Sequence, residues 1–177
     1  TDSIVLSDML RQTKDMYGVF YIRLSRKKAE QIYMPDSTFE IGKANTLREG
    51  NDATIVASGI CVSDACRVAD KLADEGIHVR VLDMFTIKPI DKDAIIKASK
   101  ETGAIVTVEN HNILNGLGSA VAEVLSEEAP CRMKRLGVPD RFGEVGTIPF
   151  LKEKYHMTEK DIEEAVKSLI SKKDVTQ

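Results

Sequence analysis

Short runs of β-branched and other apolar residues alternate in this chain with stretches whose apolar residues recur at helical spacing. The strand-like runs lie at 53–58, 77–84 and 104–109, each with a helical stretch behind it, and a last run lies at 132–138. Continuous apolar runs are typical of strands that are buried on both faces of a sheet. Strands joined through helices favour a mostly parallel sheet, so the pattern predicts an α/β fold with helices on both faces.

Helix boundary signals support this division of the chain. Gly76 ends the first of these helical stretches, and Asp91 precedes another stretch that Gly103 stops. Thr158 opens the final helix, with Asp161 placed as in a capping box. Side chains that accept from free backbone N–H groups begin helices, and glycine ends them, because it adopts the left-handed conformation without strain.

The beginning of the chain follows a different pattern. A helix is predicted at 1–17 and a strand at 19–24, and 25–39 reads as a linker before a short strand at 43–48. One helix and one strand cannot form a stable sheet of their own. We therefore expect this first block to be the end of another domain.

The charge and hydrophobicity of the chain indicate whether nucleic acid or a membrane is a partner. The chain has 177 residues, with 25 basic and 28 acidic residues and a formal net charge of −3, and no stripe rich in lysine and arginine. This argues against nucleic-acid binding as the main activity. No apolar run approaches the roughly 18 residues that cross a bilayer, so we expect no membrane span.

The number and spacing of the cysteines indicate the redox state of the cellular compartment. Cys61, Cys66 and Cys131 are odd in number and form no C-x-x-C pair, which favours reduced thiols in the cytoplasm. The start, Thr1-Asp2-Ser3, shows no basic region followed by an apolar run, so we expect no signal peptide. The missing initiator Met favours a processed or truncated chain.

A cluster of cations follows the first predicted strand. That strand would deliver Arg23, Arg26 and Lys27 to its carboxyl end, where ligands gather in open α/β sheets. Arginine suits phosphate, because its planar fork donates two parallel hydrogen bonds. The alternative interpretation is a strand end whose charges are simply solvated.

A second motif follows the strand at 104–109. Gly116 and Gly118 open a helix, as in a dinucleotide-binding fingerprint, but six residues separate them from the predicted strand end, and a true fingerprint turns directly. The alternative is that both glycines permit a tight helix entry and close packing. His111 lies where a general base could act, although a histidine bonded within a loop is commoner.

Neither His78 nor His156 has a second ligand at metal-binding spacing, so we assign no metal site to this chain. The loop at 137–147, rich in glycine, contains no nucleophile paired with a base. It is interpreted as a structural loop with Phe142 as a plug.

These motifs occur in the same order in the C-terminal half of transketolases. Residues 21–26 resemble the "YIRLSR" strand that closes the family's pyrimidine-binding domain. Residues 109–121 resemble its "VEEHS…GGLGSAV" stretch, and 137–146 its "GVPDRFGESG" loop. The end of the chain, 151–162, is most similar to the C-terminal subunit of split prokaryotic transketolases, in which two chains encode the enzyme. Departures at Asn110 (commonly an acid), Asn115 (commonly glycine) and Val145 bear on the subfamily rather than the fold.

The resemblance implies an architecture. Residues 1–36 would be the incomplete end of the pyrimidine-binding domain, and 39–177 the transketolase C-terminal domain. That domain is a three-layer α/β/α fold with a five-stranded, mostly parallel mixed sheet. The complete enzyme would be a dimer that includes an N-terminal transketolase subunit or domain.

The resemblance also implies a chemistry, the transfer of a two-carbon ketol unit from a ketose phosphate to an aldose phosphate, as in the pentose phosphate pathway. Thiamine diphosphate, with a divalent cation such as Mg²⁺, carries the difficult step. In the family both are held by segments other than those matched here, so this chain alone is expected to be inactive and to bind neither. Arg26 matches a position that contacts the substrate phosphate, with Arg23 a weaker neighbour, and no catalytic residue is carried over.

Other interpretations stay open. Deoxyxylulose-phosphate synthase usually has a proline where Ser25 stands, and the β subunits of 2-oxoacid dehydrogenases lack the Arg-x-x-Arg pattern, so both fit less well. The chain could instead be a stand-alone dimerisation or regulatory module. It could also be a nucleotide-binding α/β domain that uses Gly116 and Gly118.

Overall fold

Five strands form one mixed sheet in the computed structural model, which describes residues 1–27 and 29–171. The strands are β1 (Asn45–Arg48), β2 (Ala53–Ala57), β3 (Val79–Asp83), β4 (Ala104–Asn112) and β5 (Arg132–Val138). Their order is β1-β3-β2-β4-β5. The edge strand β1 runs antiparallel to β3, and the other three pairings are parallel. The predicted five-stranded, mostly parallel sheet is confirmed.

Helices cover both faces of this sheet. They are α1 (Ser3–Thr13), α2 (Cys61–Asp74), α3 (Lys92–Thr102), α4 (Leu117–Glu128), α5 (Ile148–Lys154) and α6 (Glu159–Ser171). On one face, α2 and α6 bury a cluster that includes Ile55 and Ile162. On the other face, α3 and α4 bury a cluster that includes Val56 and Ile105. Because neighbouring strand residues point to opposite faces, a continuous apolar run feeds both clusters, and the three-layer α/β/α fold is confirmed.

The predicted helix ends are confirmed in detail. Asp91 accepts a hydrogen bond from the Ala94 backbone N–H at 3.0 Å, and Gly103 ends the same helix with a φ of 61°. The Thr158 backbone N–H donates to Asp161 at 2.8 Å, and the Asp161 N–H donates back to the Thr158 hydroxyl at 3.2 Å. This reciprocal pair is a capping box, so α6 starts where the sequence predicted.

Strand β4 is longer than expected. The pattern predicted an end at residue 109, but the strand continues to Asn112, which pairs with Val138 of β5. Polar residues can extend a strand when a neighbour supplies hydrogen bonds, which an apolar pattern cannot show. The segment 110–112, which carries the polar residues of the second motif, therefore lies on the strand rather than in a loop.

The first block differs from the prediction in two ways. Helix α1 ends at Thr13 instead of residue 17, and its buried residues, Val5 and Met9, lie before that point. The strand predicted at 19–24 is not formed in the described part of the chain, and Val19 is fully exposed at 101%. A strand is stabilised by the backbone hydrogen bonds of a neighbour, and no described strand pairs with this segment.

Helix α1 is nevertheless attached to the sheet. The buried Asp2 carboxylate accepts from the backbone N–H groups of Ile4, Val5, Ile32 and Tyr33, at 2.8–3.2 Å. The Tyr33 hydroxyl donates to Asp83 at the end of β3, at 2.9 Å. The start of the chain is thus tied to the domain that carries the sheet, whereas the domain division at residues 36–39 stays a prediction.

Candidate functional site

The order of the strands creates a crevice at one point of the sheet. From β2 the chain passes through α2 to β3 on one side, and from β3 it crosses back through α3 to β4 on the other side. Helices α2 and α4 therefore leave the neighbouring carboxyl ends of β2 and β4 towards opposite faces. In open α/β sheets, ligands bind in the crevice at such a reversal of strand order.

Arg23 reaches this crevice. One terminal nitrogen of its guanidinium donates to the Asn110 backbone carbonyl at 3.0 Å, and the other donates to the Asn110 side-chain oxygen at 3.3 Å. Asn110 lies near the carboxyl end of β4. Its side-chain oxygen also lies close to Gly59, just after β2, where an added Cβ would come within 3.2 Å of it. The arginine fork is thus held above the ends of both strands.

Arg26 is placed differently. It lies in an exposed bend three residues further along the same segment. No hydrogen bond or ion pair joins its guanidinium to residues 1–27 or 29–171. Its five donors therefore face solvent, whereas Arg23 is held by Asn110. The two predicted substrate-binding residues share one segment but do not share one environment.

The start of α4 is closed by a buried acid. Glu109, only 2% exposed, accepts from the backbone N–H groups of Leu117 and Gly118, both at 2.8 Å. These are the free donors with which a helix start binds phosphate. A carboxylate already satisfies them and would repel a second anion, so the geometry argues against nucleotide binding at this helix.

The two glycines serve close packing instead. A Cβ on Gly116 would lie 2.0 Å from a Glu109 carboxylate oxygen, and one on Gly118 would lie 2.8 Å from the Arg135 side chain. Neither contact is possible without movement of the neighbours. The interpretation of both residues as permitting a tight helix entry is supported by this geometry.

His111 does not point to a catalytic partner. Its ring is exposed, and Nδ1 lies 3.1 Å from the carbonyl oxygen of the next residue, Asn112. The Asn112 amide in turn donates to Asp140 at 3.2 Å, which joins the end of β4 to the loop behind β5. The commoner interpretation, a histidine bonded locally, describes what the structure shows.

The interpretation of Phe142 as a plug is wrong for this chain. Phe142 is 98% exposed, and Val145 is exposed as well. Glycine and proline shape the loop, but the sequence cannot show whether other residues lie close enough to cover the Phe142 ring. Since Asp140 bonds to Asn112 and Arg23 bonds to Asn110, this loop and segment 14–27 both contact the end of β4.

Exposed apolar side chains are concentrated in these two segments. We call them the apolar rim, which consists of Met16, Tyr17, Val19, Phe20, Tyr21, Ile22, Leu24, Phe142 and Val145. Scattered exposed apolar residues are normal, but seven of these nine fall within residues 16–24, and such a concentration indicates a contact surface. The rim borders the crevice that holds Arg23.

Several polar groups that the sequence did not single out are also ordered. The nearly buried Asp64 pairs with Arg67 at 2.6 Å and with Lys152 of α5. Arg67 also pairs with Glu30 and Glu159, so this network ties α2, α5 and α6 to the segment before the sheet. The relevant sequence signal was only a mixture of charges, because the partners lie far apart along the chain.

The cysteines and acids offer no reactive or metal-binding centre in the ranges that the structure describes. Cys61 begins α2 near the crevice, but burial raises the pKa of its thiol to about 12, so the thiol stays protonated. No cluster of three or more histidine, cysteine or acidic side chains suited to a metal ion occurs between residues 1 and 171, Lys28 aside. No described helix is both long and apolar enough to cross a membrane.

Two shallow surface grooves lie away from Arg23 and Arg26. The larger, about 410 Å³, runs along α4 and carries both signs of charge, including Lys88, Lys92 and Glu123. The smaller, about 380 Å³, surrounds the Asp64–Arg67 network. Neither groove is lined by Arg23 or Arg26, so the candidate site is the open surface at the carboxyl ends of the strands.

Comparison with known proteins identifies the family. Residues 42–162 match the family described as "Transketolase, C-terminal domain". The chain is 45% identical over 157 residues to the 6-deoxy-6-sulfo-D-fructose transketolase subunit SqwH of Clostridium sp. (strain MSTE9), covering 89% of this chain and 49% of that protein. It is 37% identical over 171 residues to a 1-deoxy-D-xylulose-5-phosphate synthase of Heliobacterium modesticaldum, covering 95% and 26%.

A solved structure agrees. The structure described as "Split gene transketolase, inactive beta4 tetramer" superposes with a TM-score of 0.92 at 42% identity, over 97% of this chain and 56% of that one. The chain thus spans about half or less of the length of the curated relatives named here. The resemblance inferred from the arginine segment, the Glu109–Gly118 motif and the glycine-rich loop is confirmed, and the chain belongs to the transketolase C-terminal domain family.

Proposed function

We propose that this chain is the C-terminal part of a transketolase that moves a two-carbon ketol unit from a ketose phosphate to an aldose phosphate. The observation that carries this proposal is the match to the split-gene transketolase structure, at a TM-score of 0.92 over 97% of the chain. The match includes the arginine segment as well as the sheet domain, and the curated relatives include transketolase subunits.

Thiamine diphosphate with a divalent cation is the cofactor that the family implies. The described residues do not fit its diphosphate, because Glu109 fills the helix start of α4 and no metal-binding cluster lies within them. We therefore assign the cofactor to a partner subunit or domain, and no step of the reaction is assigned to this chain.

Arg26 is our candidate for the substrate phosphate, with Arg23 as a weaker, indirect contributor from the same segment. Arg26 follows the anchored Arg23 by three residues, and its guanidinium is not engaged with any described residue. Such a fork can donate two charge-assisted hydrogen bonds to a terminal phosphate. The phosphate is remote from the carbons that react, so this contact would bind donor and acceptor sugars without taking part in the chemistry.

The apolar rim supports a partner. Tyr17, Val19, Phe142 and Val145 are almost fully exposed, and their burial against an N-terminal transketolase subunit or domain would be favourable. We also propose a dimer of the complete unit. In support, the related split-gene transketolase is described as an inactive tetramer of one chain type, so that relative self-associates.

A second candidate function is 1-deoxyxylulose-5-phosphate synthesis. It is favoured by the synthase relative, which matches 95% of this chain at 37% identity. The β subunit of a 2-oxoacid dehydrogenase and a stand-alone dimerisation or regulatory module are weaker alternatives. We propose the pentose phosphate pathway as the setting, and the relatives named for 6-deoxy-6-sulfo-D-fructose and apulose 4-phosphate supply two further sugars to test as substrates.

The test combines binding and turnover. Calorimetry of the chain alone with thiamine diphosphate and Mg²⁺ should show no saturable heat, whereas the chain assembled with an N-terminal transketolase subunit should show it. The assembly should then convert a ketose phosphate and an aldose phosphate into the products of ketol transfer. Formation of 1-deoxyxylulose 5-phosphate instead would support the synthase, and micromolar binding of the cofactor to the chain alone would contradict our assignment.

We propose the cytoplasm as the location. The three cysteines are free thiols, two of them buried, as expected for a reducing compartment. Fractionation of cells that express the tagged protein tests this, and recovery from a secreted or membrane fraction would contradict it.

A further inference from the structure

We propose that the crevice between β2 and β4 is a socket for Arg23, and that Arg23 is a positioning residue that sets the location of Arg26. The inference rests on the proposed function for the role of Arg26, but the socket can be tested without it. In open α/β sheets, ligands bind in this crevice. Here a side chain of the same chain, that of Arg23, reaches into it, and this is the basis of the inference.

The first step is the geometry of the socket. Both terminal nitrogens of Arg23 bond to acceptors of one residue, the Asn110 side-chain oxygen at 3.3 Å and the backbone oxygen at 3.0 Å. The backbone acceptor is fixed by strand β4. The side-chain acceptor lies beside the turn at Gly59, which has a φ of 60° and where an added Cβ would come within 3.2 Å of that oxygen. At least the backbone acceptor is thus held in place by the sheet, and Arg23 reaches it from the preceding segment.

The second step is the charge of the socket. Both acceptors are neutral, and Arg23 pairs with no carboxylate in the described part of the chain. Two acids near the end of β4 bond to other groups: Glu109 accepts from the start of α4, and Asp140 accepts from Asn112. A guanidinium in this position is held without being neutralised. Asn110 therefore restrains the segment through the geometry of two hydrogen bonds and not through an ion pair.

The third step is the link to Arg26. Segment 14–27 forms no helix or strand after Thr13 and carries exposed side chains, so among this chain's own contacts little besides that of Arg23 restrains it against the sheet. Arg26 follows within a short reach of that anchor. A phosphate binds more tightly to an arginine whose position is set in advance than to one on a free segment, because less conformational freedom is lost on binding. Arg23 thus acts through Arg26.

The socket is tested on this chain by native trypsin digestion, since trypsin must take the arginine side chain into its own pocket. Cleavage after Arg26 should be clearly faster than cleavage after Arg23. Asn110→Ala removes one acceptor and should speed cleavage after Arg23, while cleavage after Arg11 on α1 serves as the unchanged reference. Equal cleavage after Arg23 and Arg26 in the unmodified chain would overturn the socket.

The positioning role is tested in the assembled enzyme by pairing two variants. Arg23→Ala should raise KM for phosphorylated sugars about two- to tenfold, the range of a typical hydrogen bond, and leave kcat nearly unchanged. Asn110→Asp keeps both acceptors and adds a charge partner, so it strengthens the socket but neutralises Arg23. A positioning residue predicts no rise in KM for Asn110→Asp, and Arg23→Lys should recover part of the loss.

The outcomes separate the two proposals. A rise in KM for Asn110→Asp as large as that for Arg23→Ala would show that Arg23 contacts the phosphate itself, and would overturn the positioning role. An unchanged KM for Arg23→Ala would overturn it as well. An unchanged KM for Arg26→Ala would instead refute the phosphate site of the proposed function, and the digestion would still decide whether the socket exists.

Discussion

The sheet and segment 14–27 are made of similar residues but have opposite environments. Strand β2 consists of Ala, Thr, Ile and Val, and every one of its residues is buried. Segment 14–27 contains Val19, Tyr21, Ile22 and Leu24, and all four are exposed. The difference lies in the neighbours, because β2 has a strand on each side and helices on both faces. Apolar composition therefore becomes a core only where hydrogen-bonding partners also exist.

The largest expected effect would test this contrast directly. Ile55→Ala removes a fully buried side chain from β2 and should lower the free energy of unfolding by about 2–5 kcal/mol. The matched truncation Leu24→Ala should change it by less than about 0.5 kcal/mol in the chain alone. Urea unfolding followed by circular dichroism measures both. A comparable loss for Leu24→Ala would mean that the segment is packed in solution.

The next effect concerns function in the exposed segment. Arg26→Ala in the assembled enzyme should weaken binding of phosphorylated sugars by roughly 10- to 150-fold, the value of a lost hydrogen bond to a charged group. The loss should appear in KM more than in kcat, because the contact is equal in the ground state and the transition state. Unphosphorylated acceptors serve as the control, and an equal loss with them would make Arg26 a structural residue.

A smaller effect on stability is expected at Glu109, which lies between the core and the candidate site. Glu109→Gln keeps the shape of the buried side chain, but its amide nitrogen would face one of the two N–H donors of α4. Leaving that buried donor unsatisfied should cost about 1–3 kcal/mol of stability. Thermal unfolding measures it, with Glu123→Gln at an exposed position of the same helix as the reference. An unchanged midpoint would contradict the capping role of Glu109.

The smallest effect depends on pH and concerns the attachment of α1. Burial raises the pKa of Asp2, but backbone N–H donors of Tyr33, Ile32, Val5 and Ile4 outweigh it and hold the pKa below its usual value of 3.8. A lowered folded-state pKa contributes stability above the unfolded pKa and loses it as pH falls through the folded pKa.

Asp2→Ala should therefore cost about 0.5–2 kcal/mol at neutral pH, the range for loss of a helix N-cap side chain. The difference from the unmodified chain should shrink below pH 4. Urea titrations at pH 7 and pH 3 measure it. A difference that grows as the pH falls would reverse the assigned sign.

Much of the fold could be predicted from local chemistry. Asp91, Gly103, Thr158 and Asp161 mark helix ends because their side chains, or the lack of one, act on backbone groups a few residues away. The arginine segment and the glycine-rich motifs were also recognisable, because their spacing along the chain is preserved in the family. Contacts of this short range join residues that are close together in the sequence, so they can be recognised from one sequence.

The arrangement of the candidate site could not be predicted in the same way. Nothing in the sequence places Arg23 on Asn110, since 87 residues separate them. Glu109 appeared as a motif residue, but its role as the cap of α4 depends on a turn that brings residues 109 and 117 together. Phe142 was expected to plug a cavity, and its exposure follows from the absence of a facing wall among the described residues.

By itself, the sequence determined the alternation of strands and helices, the helix ends and the family, because each depends on local spacing or on recognisable motifs. Only the tertiary structure decided that Arg23 is anchored and Arg26 is free, and that a carboxylate closes the helix start of α4. The physical reason is that these outcomes depend on which groups meet across the sheet. A hydrogen bond of about 3 Å is set by the packing of whole strands, and residue order alone does not specify that packing.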